Sequence, residues 1–284
     1  MKTASPVVKT TCAYCGVGCG VSMQPQADGF AASGDPAHPA NRGRLCVKGS
    51  ALGETLGLQG RLLQPEIHHQ PVSWPQALDA VAQGLQATID EHGPQSVAFY
   101  GSGQLLTEDY YVANKLMKGF IGAGNMDTNS RLCMASAVVG YKRAFGADAV
   151  PCNYDDLEQA DCVILVGSNT AWAHPVVYQR LAKAKAERPE MQIIVVDPRK
   201  TATCDIADLH LALRPSSDAA LFCGALNEMA ARGKLDTAFL QHHTNGAEET
   251  LQTAKAWSLE KTADYCGIAS SQLQAFYQRI ARRS

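Results

Sequence analysis

Short apolar runs alternate with longer stretches of helical period through most of this chain. Residues 161–167 (DCVILVG) and 192–197 (QIIVVD) are continuous apolar runs, the pattern of strands buried on both faces. Residues 96–101 (SVAFYG) predict another buried strand, and 209–214 a shorter one. Helices are predicted over 75–92, 107–121, 132–145, 176–186, 218–232 and 270–282. The first opens at Trp74-Pro75 and places Leu78, Val81, Ala82, Leu85 and Ile89 on one face. Tyr111, Leu116 and Phe120 mark the second. Residues 58–74, with Pro65 and Pro71, read as linker or edge structure. Strands alternating with helices predict an α/β fold with a mainly parallel, doubly wound sheet covered on both faces. The first 57 residues break the pattern: they are rich in Gly and Cys, lack long periodic segments and predict a small loop-rich domain.

Composition narrows the picture further. The chain has 284 residues, 46% of them hydrophobic, enough for a sizeable core. Twenty-five basic residues face 27 acidic ones, for a net charge of −2, so no basic field points to nucleic acid. No apolar run is long enough to span a bilayer, which predicts no membrane partner. The opening MKTASPVVKTTC shows neither an apolar core nor twin arginines, so no export signal is expected. Ten cysteines without such a signal predict a reducing compartment, the cytoplasm, and metal ligands or free thiols instead of disulfides.

The chemistry concentrates in TCAYCGVGCG and RLCVKGS. Cys12, Cys15, Cys19 and Cys46 stand in the pattern C-x2-C-x3-C-x26-C. A zinc site usually pairs C-x2-C with a second C-x2-C or with spaced histidines, which suits this pattern less well. Four thiolates, with the fourth distant, suit a 4Fe-4S cluster. Gly16, Gly18 and Gly20 allow tight turns that aim amides at sulfur. Lys48, two residues beyond Cys46, is either an ordinary solvated lysine or part of the site.

These motifs resemble the N-terminal cluster domain of the molybdopterin oxidoreductases, which include nitrate reductases, formate dehydrogenases and dimethyl sulfoxide reductase. The resemblance runs through essentially the whole chain. It implies a 4Fe-4S domain over 1–57 and, over 58–284, a Rossmann-like α/β region that binds a molybdopterin dinucleotide. It also implies that Lys48 lies between the cluster and a pterin of a molybdenum-bis(molybdopterin guanine dinucleotide) cofactor. The segment NSRLCMASA is similar to the part of periplasmic and assimilatory nitrate reductases whose cysteine sulfur binds molybdenum, matching at Asn129, Arg131, Cys133, Met134, Ser136 and Ala137. Cysteine-type formate dehydrogenases usually carry histidine after that cysteine, so Met134 favours nitrate.

In the same resemblance, strand-end loops hold the dinucleotides. Gly167, Ser168 and Asn169 follow one strong strand, and Asp197, Arg199 and Thr201 follow the next. No G-x-G-x-x-G follows a strand, and Gly101-Ser102-Gly103 is only a partial echo, which disfavours a simple NAD domain. Gln104, Asn129, and Arg214, Ser217 and Asp218 of LRPSSDAAL resemble further cofactor contacts. Ser216 stands where the family usually has glycine, and Asp218 either caps its helix or touches cofactor. His174 is expected to pack in a loop near the cofactor, the pairs His68-His69 and His242-His243 to face solvent, and Cys152 to be a small buried residue.

Family catalytic subunits are two to three times longer, and the expected C-terminal pterin domain and substrate-pocket arginine have no counterpart here. The chain therefore reads as a fragment, inactive by itself, of an assimilatory nitrate reductase. Electrons for nitrate would come from a ferredoxin, a flavodoxin or an NADH-linked subunit. The alternatives are a cysteine-type formate dehydrogenase and a molybdenum-free electron-transfer subunit like the large subunits of NADH dehydrogenase.

Overall fold

The computed structural model describes residues 6–103 and 105–281. They form two compact units, one built from the chain up to Gly57 together with the chain from Cys152 onward, the other from Leu58–Pro151. The Gly- and Cys-rich opening is not mainly loop. Strands β1 (Val8–Thr11), β2 (Gly20–Gln26) and β3 (Gly29–Gly34) form an antiparallel sheet in that order. Alternation in β2 buries Val21 and Met23, and Ala27-Asp28 turns the chain into Gly29, whose φ of 129° suits only glycine. A single turn of helix, α1 (Val47–Ser50), follows Cys46.

The unit of Leu58–Pro151 begins with a two-residue hairpin, β4 (Glu66–Ile67) and β5 (Gln70–Pro71). His68 and His69 form its tip with φ of 51° and 62°, the positive pair that a tight hairpin turn requires. Helix α2 (Trp74–His92) starts where the Gln76 side chain accepts from the Ser73 N–H (2.9 Å), and Gly93 ends it. Of its predicted apolar face, Leu85 and Ile89 pack against Val97 and Met117, whereas Leu78 and Val81 are exposed. The predicted strand over 96–101 shortens to β6 (Phe99–Gly101), because Pro94–Ser96 forms a 3₁₀ turn. Nor is it buried throughout, since Tyr100 is exposed. Helix α3 (Thr107–Asn114) runs on into a wider π-helical stretch, Lys115–Ile121, that Gly122 stops at φ 81°. Strand β7 (Met126–Thr128) pairs parallel with β6, and α4 (Ser130–Phe145) follows.

The remainder of the first unit, from Cys152 onward, is the C-terminal part of the α/β region predicted over 58–284. Helix α5 (Tyr154–Gln159) is capped by the Asn153 side chain, which accepts from the Asp155 and Asp156 N–H groups. Then come β8 (Cys162–Val166), the turn α6 (Thr170–Ala173), α7 (Pro175–Glu187), β9 (Gln192–Val196) and β10 (Leu209–Leu211). The three strands are parallel in the order β10-β9-β8. Central β9 packs on both faces, which is why its sequence is continuously apolar. Ile194 and Val196 meet α8 (Asp218–Ala231), while Ile193 meets Leu181 and Ala184 of α7. Three short helices that the sequence reading did not mark, α9 (Thr237–His243), α10 (Ala247–Ala254) and α11 (Leu259–Cys266), precede α12 (Ser270–Ala281). Among the described residues no helix is long and apolar enough to cross a membrane.

Candidate functional site

Cys12 directly follows β1, and Cys19 directly precedes β2, so the hairpin's two strands deliver the ends of one cysteine loop. The Cys12 N–H donates to the Cys19 carbonyl (2.9 Å) and closes the loop. Within it the Gly18 N–H donates to the Cys15 carbonyl (3.3 Å), with Gly18 at φ 67°. Asn41 ties this loop to the segment leading to Cys46. Its Oδ1 accepts from the Gly20 N–H (2.8 Å), and its Nδ2 donates to the Gly20 and Arg44 carbonyls (3.0 and 2.8 Å).

The structure therefore brings Cys12, Cys15, Cys19 and Cys46 to the wall of one small cavity. Tyr14, Val17, Leu45, Gly49, Pro175 and Val176 complete the wall, and almost none of it is polar. Burial pushes the Cys19 thiol up to about 11, and the neighbouring Cys15, Cys12 and Cys46 push the same way. Four thiolates in such a place need a cationic core to hold them ionised. Four soft thiol donors from two segments around one apolar cavity fit a four-iron cluster. Lys48, in α1 two residues from Cys46, is exposed.

A second group of predicted residues gathers at the C-terminal ends of β8 and β9, where parallel sheets bind nucleotides. Gly167, at φ 55°, donates its N–H to the Val196 carbonyl (2.8 Å) and joins the two strand ends. Ser168 and Thr170 share a hydroxyl–hydroxyl bond of 2.7 Å. Asp197 Oδ1 accepts from the Arg199 N–H (2.8 Å), and the Arg199 guanidinium lies over the Trp172 ring (5.8 Å). The residue that links the loops is Thr203, which no predicted pattern includes. Its fully buried hydroxyl donates to Asn169 Oδ1 (3.3 Å) and accepts from the Ala171 N–H (3.1 Å), while the Thr201 hydroxyl accepts from the Thr203 N–H (3.3 Å).

The LRPSSD segment forms a tight turn closed by its own side chains. Ser216 adopts φ 67°, the conformation glycine would take freely. The Ser217 hydroxyl is 1% exposed and donates to the Arg214 carbonyl (2.6 Å), so it closes the turn. Arg214 donates from its guanidinium to the Tyr265 carbonyl (3.1 Å). Asp218 is exposed in the first turn of α8 and is not its N-cap, a position that Ser217 takes.

In the unit of Leu58–Pro151, Asn129 Oδ1 accepts from the Gly103 N–H (2.8 Å), which joins the loops beyond β6 and β7. Cys133 falls in the first turns of α4, but its side chain, like all of Gln104, lies outside the described residues. His174 is exposed between α6 and α7, and His68, His69, His242 and His243 face solvent as expected. Cys152 departs from expectation: it is exposed, because it stands in the extended segment before the Asn153 cap.

Four thiols around one apolar cavity, in one unit with a parallel sheet, define an iron–sulfur protein built on an α/β fold. The family description "Molybdopterin oxidoreductase Fe4S4 domain" matches residues 5–56, and "Molybdopterin oxidoreductase" matches residues 61–281. The chain belongs to the molybdopterin oxidoreductase family, whose members use a 4Fe-4S cluster and a molybdopterin cofactor. It is 60% identical to a nitrate reductase of Klebsiella oxytoca over 96% of this chain and 31% of that protein. It is 42% identical to a nitrate reductase of Synechocystis, over 95% of this chain and 40% of the relative. With a periplasmic nitrate reductase of Desulfovibrio desulfuricans it shares 43% identity, over 98% and 39%. The chain thus spans about a third of the length of the curated relatives it matches. Acetylene hydratase from Pelobacter acetylenicus superposes with a TM-score of 0.82 over 97% of this chain and 39% of that one; at 23% identity this shows a shared fold.

Proposed function

We propose that this chain is part of the catalytic subunit of a molybdenum nitrate reductase, with residues 1–57 as its cluster domain and 58–284 as its pterin-binding α/β region. The observation that supports this best is the 60% identity to the Klebsiella oxytoca nitrate reductase across nearly the whole chain. The bound molybdenum cofactor supplies two-electron removal of an oxygen atom from nitrate, which with two protons yields nitrite and water. The protein's share is to bind, orient and insulate.

In this reading Cys12, Cys15, Cys19 and Cys46 ligate the cluster, and the apolar wall of Val17, Leu45 and Val176 keeps water from it. Lys48 lies on the electron route from the cluster to a pterin. Cys133 is the sulfur ligand of molybdenum, placed by the first turns of α4. Gly167, Ser168, Asn169, Asp197, Arg199 and Thr201 contact one guanine dinucleotide, with Arg214, Asp218, Asn129 and Gln104 as further contacts and Ser217 shaping its turn. We place the reaction in nitrate assimilation in the cytoplasm. Among the described residues no cysteine is paired in a disulfide, and a reducing compartment suits both the cluster ligands and the remaining thiols. The electron donor is a ferredoxin, a flavodoxin or an NADH-linked reductase subunit.

The full-length protein carrying Cys133→Ala should keep its cluster iron and lose nitrite formation from nitrate with a reduced artificial donor. Formate oxidation by the wild-type protein without nitrite formation would refute the nitrate reading. Nitrite-forming activity recovered in a periplasmic fraction would refute the assigned compartment.

A further inference from the structure

Two side chains that no ligand pattern singles out hold the cysteine loops from outside. Tyr154 opens α5, and its hydroxyl donates a shared hydrogen bond to the carbonyls of Gly16 and Val17 (both 3.2 Å), the residues directly after Cys15. Its ring packs against the group formed by Val17 and Cys19. The guanidinium of Arg180, from α7, lies over that ring at 5.6 Å. Arg180 is 2% exposed, and acceptors surround it: Glu158 Oε1 (2.6 Å), Asp155 Oδ1 (2.5 Å) and the carbonyls of Pro39 (2.9 Å) and Ala40 (2.8 Å). Those carbonyls lead into Asn41, which ties Gly20 to Arg44. One assembly, centred on the buried Arg180, thus holds both segments that deliver thiols to the cavity.

We propose that Tyr154, fixed by Arg180, is a positioning residue that sets the reduction potential of the iron–sulfur cluster. The inference rests on the reading of Cys12, Cys15, Cys19 and Cys46 as its ligands. Reduction adds one electron, and so one negative charge, to a site walled by apolar side chains. The cost depends on how far water reaches the sulfurs and on how nearby peptide dipoles point. Tyr154 controls both, because it pins the peptides between Cys15 and Gly18 and closes them over Val17. Without the hydroxyl, two carbonyls lose their donor and turn to solvent. Water admitted beside the sulfurs stabilises the added charge, and the potential rises. Arg180 acts through Tyr154 and the Pro39–Ala40 carbonyls. Its planar fork meets four acceptors at once, which a lysine could not do.

The test compares Tyr154→Phe with Tyr178→Phe in the cluster-loaded protein. Tyr178 is a matched control on α7 whose hydroxyl donates to the Ala202 carbonyl (3.3 Å), a residue outside both cysteine segments. Iron per chain and an EPR-monitored redox titration with dithionite are the readouts. Both variants are expected to keep wild-type iron, and only Tyr154→Phe to show a raised midpoint potential and an altered reduced-cluster spectrum. An unchanged potential and spectrum in Tyr154→Phe with full iron would overturn the inference. So would loss of iron from Tyr154→Phe alone, which would make the tyrosine a retention device instead. Wild-type protein without iron would overturn the ligand reading itself, and the inference with it.

Discussion

A thiol as buried as Cys19 stays protonated unless a cation lies against it, and the three neighbouring thiols deepen that preference. Its sulfur therefore has a use only as one of a set. Cys152 is the useful contrast: also free, but exposed and not on the cavity wall. Cys19→Ser is expected to lose most of the cluster iron, and Cys152→Ser none, as read by iron analysis and the reduced-cluster EPR signal. Ser216 offers a different test. It holds φ 67° without being glycine, a strain of about 1 kcal/mol for an L-residue. Ser216→Gly should raise unfolding stability by about 0.5 kcal/mol at most, after allowance for glycine's greater unfolded-state entropy; a midpoint lowered by the glycine would refute this. At this scale the four cysteines were legible, because their spacing is itself the signal. Asn41, Tyr154, Arg180 and Thr203 were not. Each works through partners brought near by folding, in Arg180's case 140 residues away, and no local spacing records such a pair.

Helices α5 and α7 show how elements, and not only ligands, build the centre. Asp155 and Glu158 sit three apart on α5, on one helical face, and so can grip Arg180 and Arg42 together. Hydrogen bonding from Arg180 holds the Glu158 carboxyl below its usual range, against the opposing pull of burial. A carboxyl lowered on folding contributes stability that is fully present above its unfolded value of about 4.3 and fades as pH falls through the folded value. Glu158→Gln should therefore cost about 2 kcal/mol near neutral pH, and the gap to wild type should close as the pH drops below about 4. Urea titrations at several pH values check this, and a gap constant down to acid pH would contradict it. Elements with a continuous or strictly periodic apolar pattern were readable: β8, β9, α7, α8 and α12 fall within a residue or two of expectation. Strands β1–β3 were hidden because β1 is exposed throughout and the buried alternation is carried only by Val21 and Met23 of β2. The π-helical stretch after α3 was unreadable for another reason, since its side-chain pattern differs little from that of an α-helix.

On the scale of the whole molecule, the cysteine sheet, ending at Gly34, and the parallel sheet, starting at Cys162, share one compact unit despite their separation in sequence, and residues 58–151 form the other. The α5–α7 assembly is the stitch between the two halves of the first unit: it joins Pro39, Ala40, Arg42, Gly16 and Val17 to helices of the α/β region. A ligand bound only by the folded state stabilises whatever must unfold to release it. Cluster loss should therefore loosen more than the four ligands. Hydrogen exchange before and after oxidative removal of the cluster should show faster exchange at β2, at residues 39–46 and at α5, where the cysteine segments are anchored. The amides of α2 and α3, in the other unit, should exchange as before, because local stability follows cooperative units more than distance along the chain. A uniform rise across both units would show instead that they unfold as one. A rise confined to the cysteine loops would show that the Arg180 assembly keeps its shape without the metal.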